Sequence, residues 1–305
     1  MHPILDDLIH LLKLERIEEN IFRGDSRDIG SAQVFGGQVV AQALSAAHHT
    51  VDERVAHSLH AYFLRRGDME APIVYEVDRS RDGGSFSVRR VVAIQHGRPI
   101  FNLAASFHKQ EDGFDHQDKM PDVKGPDNLK NATELLSGII DKIPKNLKKF
   151  LTGKRPFEFR PVQPIDILNP GKLPPVNHVW IKAVSELPND NHLHQCLLAY
   201  ASDFQLLATS LRPHGVGIPF GGGKIQVASL DHALWFHRDC RVDEWLLYSS
   251  ESPNASGARG FARGQIFKQD GTLVASVTQE GLIRVPDSVQ KSSSLTDPRL
   301  HNPIL

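Results

Sequence analysis

One pattern constrains this chain more than any other: an apolar helix followed by a series of short strand-like runs, occurring twice in the same order. In the first pass, Phe35-Gly-Gly-Gln-Val-Val-Ala-Gln-Ala-Leu-Ser-Ala-Ala47 is apolar nearly all round, which marks a buried helix. Strand-like runs follow at 57–64, 73–77, 86–95 and 100–107, the last two joined by the turn His96-Gly-Arg-Pro99. In the second pass, 192–207 reads as a mostly apolar helix. Runs at 225–236, 245–250, 259–267 and 273–284 follow it, and Lys268-Gln-Asp-Gly271 is a tight-turn signal between the last two.

The halves overlay at nearly constant spacing. His60-Ala-Tyr-Phe matches His232-Ala-Leu-Trp (232 − 60 = 172), Arg89 matches Arg259 (259 − 89 = 170) and Gly97 matches Gly271 (271 − 97 = 174). Ordered matches of this kind imply an internal duplication. The expected fold is α+β: two repeats, each a helix wrapped by an antiparallel sheet, joined edge to edge into one continuous sheet that leaves few strand edges open. The repeats are expected at 1–112 and 156–285, with a connector at 113–155 and a disordered tail at 286–305. The connector holds Gly113, Pro121, Gly125, Pro126 and Pro144, with a helix expected near 132–151 and a solvated lysine face at 142–154. An amphipathic helix is expected at 3–19, carried by Ile4, Leu5, Leu8, Leu11 and Leu12.

Composition excludes several classes. Charged residues make up 23% of the 305, and the formal net charge is −1, so no basic face for nucleic acid is in prospect. The two cysteines, Cys196 and Cys240, make no disulfide framework and suit a reducing compartment. The start of the chain is acidic where a signal peptide is basic, and no apolar run approaches the roughly 18 residues of a membrane helix. Asn302-Pro-Ile-Leu305 is not a peroxisomal address. The expected location is the cytoplasm.

Common catalytic signatures are absent or weak. No Gly-x-Ser-x-Gly elbow occurs. Gly215-Val-Gly-Ile-Pro-Phe-Gly-Gly-Gly223 lacks the dinucleotide spacing and a preceding strand, and reads as a flexible loop. The pairs His57/His60 and His192/His194 lack partners at metal-ligand spacing and read as core or surface histidines. Neither cysteine shows an activating neighbour. Polar residues inside apolar elements remain: Asp203 late in the second helix, Ser229 and Asp231 in the strand after it, and Gln279 in the last strand. Asp231 stands two residues from Ser229, on the same face of a regular strand, so periodicity alone leaves Asp203 and Asp231 both open as the base.

Longer motifs narrow the choice. Phe22-Arg-Gly24, Val34-Phe-Gly-Gly-Gln-Val-Val-Ala-Gln-Ala43, His57-Ser-Leu-His-Ala-Tyr-Phe-Leu-Arg65, Ser85-Phe-Ser-Val-Arg89, Val227-Ala-Ser-Leu-Asp-His-Ala-Leu-Trp-Phe-His237, Ala258-Arg-Gly260 and Gln279-Glu-Gly281 stand in order over about 5–285. Together they resemble the acyl-CoA thioesterase II family. The resemblance implies a double hot-dog fold, packed into a homo-oligomer as such units usually are. It also implies hydrolysis of fatty acyl-CoA without a metal or organic cofactor. Carried over position by position, it implies a water held by Asp203, Ser229 and Gln279, with serine where some relatives have threonine. That set suits the chemistry. A thioester carbonyl is already electrophilic, so hydrolysis needs an oriented water, a base and a place for the oxyanion. Two other readings stand beside it. One is an acyl-CoA-binding sensor without turnover, which has no use for a water-orienting trio. The other is a hydratase using Asp231 and His232, which adjacent strand residues on opposite faces serve poorly.

Overall fold

The computed structural model describes residues 2–285 apart from 32, 144, 168–169 and 217–224. The tail at 286–305 and most of the glycine-rich loop lie outside the described residues.

Helix α1 (Pro3–Leu12) buries Ile4, Leu5, Leu8, Ile9 and Leu12 on one stripe. It ends at Leu12 rather than running to 19, because the buried stripe ends there. Strand β1 (Glu15–Glu18), exposed throughout, instead turns back to pair with β2 (Ile21–Gly24). Helix α2 (Gly36–His48) is buried along almost its whole length, in line with its all-round apolar sequence. Strands β3 (Val55–Phe63), β4 (Ile73–Asp82), β5 (Phe86–Gln95) and β6 (Arg98–His108) follow in the expected order; β5 coincides with its apolar run, while β4 continues past its run at 73–77 to Asp82.

The connector holds two helices where one was expected, α3 (Ala132–Ser137), which ends on Gly138, and α4 (Lys145–Thr152). Upstream of them it is strapped to the outer face of the sheet. Gln117 bonds to Leu273 and Gly271, Gln265 donates to Asp118, and Trp180 donates to the Lys124 carbonyl. Met120, Val123 and Leu129 close over Trp180, Leu247, Phe267 and Leu273 in a second apolar cluster.

The second half adds β7 (Phe157–Pro161) and β8 (Val176–Ala183), strands too short or too mixed to stand out in the sequence. Helix α5 (Asn191–Ser202) stops five residues short of the expected end, and Asp203 is its C-cap. A 3-10 segment, Leu207–His214, follows. The expected single strand at 225–236 is two, β9 (Gln226–Ser229) and β10 (Asp231–Phe236), divided at Leu230. Strands β11 (Leu246–Ser256), β12 (Arg259–Lys268) and β13 (Leu273–Arg284) complete the chain.

All strands form one antiparallel sheet in the order β1-β2-β4-β5-β6-β3-β10-β13-β12-β11-β8-β7, with β9 pairing β13. Read outward from the central β3–β10 pair, each strand of one half meets its counterpart in the other. The duplication is therefore written into the topology. Its spacing differs between strands: β6 falls on β13 at 174, as Gly97 and Gly271 suggest (Ala105 on Gln279, 279 − 105 = 174), but the strands before them keep an odd spacing. Burial along β5 and β12 begins with the same alternation when Phe86 is set on Arg259 (259 − 86 = 173). The buried Tyr75 falls on the buried Tyr248 at the same spacing (248 − 75 = 173). The even spacings 172 and 170 seen in sequence pair residues on opposite faces: Arg89 is buried while Arg259 is exposed. The true mate of Arg89 is Ala262 (262 − 89 = 173), and outward-facing Arg90 matches outward-facing Arg263 (263 − 90 = 173).

Helices α2 and α5 lie antiparallel in the hollow of the sheet. His48 at the end of α2 stacks on His192 at the start of α5, with ring centroids 4.2 Å apart. At the other end a Cβ on Gly37 would stand 2.5 Å from the Tyr200 carbonyl. Both helices and both inner sheet faces share one apolar core. Each fully buried leucine or valine in it contributes about 1.5–3 kcal/mol.

Candidate active site

The start of α2, the end of α5 and the inner face of β13 converge on one polar cluster in this apolar core. Asp203, which closes α5, is only 6% exposed at its side chain. An ionised carboxylate at that burial requires hydrogen-bond donors. Gln279, inward-facing on β13 and 1% exposed, supplies one: its Nε2 donates to Asp203 Oδ1 at 2.7 Å. The other carboxylate oxygen, Oδ2, points at the first residue of α2, where a Cβ on Gly36 would come within 2.8 Å of it. Glycine is thus a steric requirement at 36. Among the described residues no side chain caps the first turn of α2, whose first residue adjoins the Asp203 carboxylate.

Ser229 reaches the same face by register. It lies opposite Gly281, two residues beyond Gln279 on β13. Among the described residues it makes no side-chain hydrogen bond to Asp203 or Gln279. Gly281 lets the 3-10 segment settle over this end of the sheet: a Cβ there would meet Leu207 Cδ2 at 2.2 Å and the Ala228 carbonyl at 3.0 Å.

The break at Leu230 changes which neighbours share the site. Ser229 pairs with Gly281 and Ala233 with Thr278, so four steps on one strand (233 − 229 = 4) match three on the other (281 − 278 = 3). This is a β-bulge, and it reverses the alternation beyond it. Asp231 therefore leaves the face of Ser229, contrary to the expectation from a regular strand. Its Oδ1 accepts the backbone N–H of Glu280 at 2.6 Å, away from the cluster. His232 takes the inward place. Fully buried, its Nδ1 lies 3.3 Å from Gln279 Nε2 and 4.0 Å from Asp203 Oδ1, and its Nε2 lies 2.9 Å from Ser202 Oγ. Burial holds its imidazole below the ordinary histidine range, against the pull of Asp203 and Asp231.

His232 is the residue sequence reasoning missed. The alternation rule pairs it against Asp231 correctly, but only the bulge brings it onto the Gln279 face. Adjacent tyrosines do not compete as bases, since burial raises the Tyr200 phenol to about 12 and Tyr248 well above its usual value. The thiols are likewise held protonated: burial pushes Cys196 up, and Cys240 to about 12. The histidine pairs have other partners. His57 bonds Ser106, His60 packs edge-on to Trp235, and His194 accepts from the Val242 backbone.

The first half does not repeat the cluster. Ala262 is in register with Gln279, while its mate Arg89 is in register with Ala105. Leu59 opposes Ala105 where His232 stands beside Gln279. Arg89 turns its guanidinium instead to Thr50 and Asp82 as a structural tie.

A helix-filled antiparallel sheet, doubled in one chain and carrying a buried Asp–Gln pair beside a helix start, defines a double hot-dog protein. The comparisons agree. Residues 147–282 match the acyl-CoA thioesterase family model, and residues 23–108 match the model of the acyl-CoA thioesterase N-terminal domain. The chain is 48% identical over 285 residues to acyl-CoA thioesterase 2 of Haemophilus influenzae, covering 93% of this chain and 99% of that one. The crystal structure of acyl-CoA thioesterase II TesB2 from Mycobacterium marinum superposes with a TM-score of 0.74 at 43% identity, over 92% of this chain and 99% of that one. A hot-dog-fold protein from Alicyclobacillus acidocaldarius shares the architecture at a TM-score of 0.73 and 18% identity, over 92% of this chain and 98% of that one. The chain belongs to the acyl-CoA thioesterase family and is by that membership a thioester hydrolase.

Proposed function

We propose that this protein hydrolyses fatty acyl-CoA to free fatty acid and CoA by direct attack of a water molecule held by Asp203, Ser229 and Gln279. One observation carries the reading: the Gln279–Asp203 bond leaves two acceptors, Asp203 Oδ2 and the buried Gln279 Oε1, which has no hydrogen-bond partner among the described residues. A water donating one hydrogen to each keeps its lone pairs free for the thioester carbon. Ser229 Oγ, on the same face, steadies it. Asp203 takes one water proton as the C–O bond forms. The oxyanion is met by the N–H groups of Gly36 and Gly37 at the start of α2, where the helix dipole favours negative charge. Collapse breaks the C–S bond, and the proton passes from Asp203 to the departing thiolate. No covalent acyl-enzyme forms and no cofactor takes part.

The same reading divides the chain into repeats at 1–112 and 156–285, with one site per chain, in the second repeat. It takes the protein to be a cytoplasmic homo-oligomer. Among the described residues no helix is long and apolar enough to cross a membrane. The alternative, an acyl-CoA-binding sensor without turnover, has no use for a buried carboxylate with a free oxygen beside an uncapped helix start. The test is thiol release from palmitoyl-CoA run in H2-18O. Thiol release with one labelled oxygen per fatty acid in a single turnover supports the reading. Tight binding without release supports the sensor.

A further inference from the structure

We propose that His232 is a positioning residue that fixes which way the Gln279 amide faces. The inference rests on the Asp203–Ser229–Gln279 reading above and adds a residue to it.

The amide of Gln279 carries two hydrogens on Nε2, and both point at acceptors. One goes to Asp203 Oδ1 at 2.7 Å, the other towards His232 Nδ1 at 3.3 Å. Turned by half a rotation, Oε1 would stand in the place of Nε2 against a carboxylate oxygen, with no proton between them. An ionised carboxylate only accepts, so the Asp203 side alone disfavours the turned amide. His232 doubles that preference only while its Nδ1 is bare. A protonated Nδ1 would press an N–H against the NH2 of Gln279 and favour the turned amide.

The structure keeps Nδ1 bare through the opposite ring nitrogen. Ser202 Oγ gives its own hydrogen to the Ala199 carbonyl at 2.9 Å, so it faces His232 Nε2, also at 2.9 Å, as an acceptor. The imidazole proton therefore sits on Nε2. Tyr248 donates to the Ser202 carbonyl at 2.8 Å and holds this last turn of α5 in place. A relay runs from Ala199 through Ser202 and His232 to Gln279, and its outcome is that Oε1 of Gln279 faces the water. The charged groups acting on His232 are Asp203, from the end of α5, and Asp231, its chain neighbour; both favour its protonated form, and burial opposes them. Protonation of His232 would set its preference against that of Asp203 and loosen the hold that keeps an acceptor towards the water.

The test separates the two ring nitrogens. Asn at 232 puts an amide oxygen where Nδ1 stands and loses the Ser202 bond; Gln at 232 reaches Ser202 and loses the Nδ1 acceptor. With palmitoyl-CoA, His232→Gln is expected to lower kcat about tenfold to a hundredfold with KM within about twofold, the range typical of losing a partner that orients a reacting group. His232→Asn is expected to keep kcat within about fivefold of wild type and to move the acid limb of the kcat–pH profile to lower pH. Wild-type kcat in His232→Gln, equal losses in both variants, or an unmoved acid limb in His232→Asn would each overturn the proposal. The Asn variant decides by its pH profile even if the Gln variant fails to fold. Asp203→Asn, assayed alongside, reports on the underlying reading separately: it must lose about two to four orders of magnitude in kcat whatever the histidine variants do.

Discussion

Gln279 donates to Asp203 across 2.7 Å although the two residues stand 76 positions apart, one closing α5 and the other inside β13. The bond satisfies one oxygen of a buried carboxylate; on the proposed mechanism the other is left for the water. Replacing the amide by an acid tests that division. In Gln279→Glu, two carboxyl groups would share the space of one hydrogen bond, and one of them must hold a proton. The expected result is low turnover at neutral pH and a kcat–pH limb displaced upward by a unit or more. A profile identical to wild type would show that Asp203 does not feel residue 279.

Ser229 is assigned a helping role. It faces the cluster by register but bonds to neither partner. Ser229→Ala is expected to cost about one to three orders of magnitude in kcat, the scale of a lost positioning group, whereas Ser229→Thr keeps the hydroxyl and most of the rate. Neither wild type nor Thr variant should show a burst of thiol release, because the proposed mechanism transfers no acyl group to the protein. Mass-spectrometric capture of an acylated Ser229 would contradict the mechanism.

Gly36 is where α2 meets the Asp203 carboxylate. A methyl group there would stand 2.8 Å from Asp203 Oδ2 and 2.9 Å from the Phe63 ring. Gly36→Ala is expected to lower kcat by about tenfold to a hundredfold, the price of displacing a reacting group by a fraction of an ångström to an ångström. The melting temperature, read alongside, should fall only modestly, since Ala suits a helix better than Gly.

Two histidines tie stability to pH. His48 and His232 are both fully buried, and burial lowers both below the ordinary value of 6.5. The unfolded chain then binds protons that the folded one refuses. Their contribution is complete above the unfolded value, near 6.5, and is lost progressively as pH falls below it, by at most about 1.4 kcal/mol per pH unit for each group. Thermal melts from pH 7.5 to 5 should show the decline. His48→Phe should flatten it, and an unchanged slope in that variant would remove His48 from the account.

Much of the architecture is legible in the sequence, because the patterns that carry it are local. The all-round apolar 35–47 becomes α2, Asp-Gly makes the β12–β13 turn, and repetition announces two like halves. The exact spacing is only partly legible: the Gly97–Gly271 match at 174 holds for β6 and β13, but matching letters elsewhere favour 172 and 170, and only burial on β5 and β12 reveals 173. Asp203 and Gln279 stand out as polar residues in apolar elements, yet nothing local says that they meet. The long family motifs supply that. The bulge at Leu230 has no sequence signal, as neither glycine nor proline marks it. It removes Asp231 from the site face and brings His232 in, so strand alternation alone points to the wrong neighbour of Ser229.

The central claim is that Asp203 is the base for a water. It is tested most directly by the single-turnover rate of Asp203→Asn with palmitoyl-CoA, on protein whose melting temperature and oligomeric state match wild type. Asn keeps the shape and can still meet Gln279, but cannot take the water proton. A fall of about two to four orders of magnitude with intact substrate binding is the predicted result. Turnover within a few-fold of wild type would contradict the account.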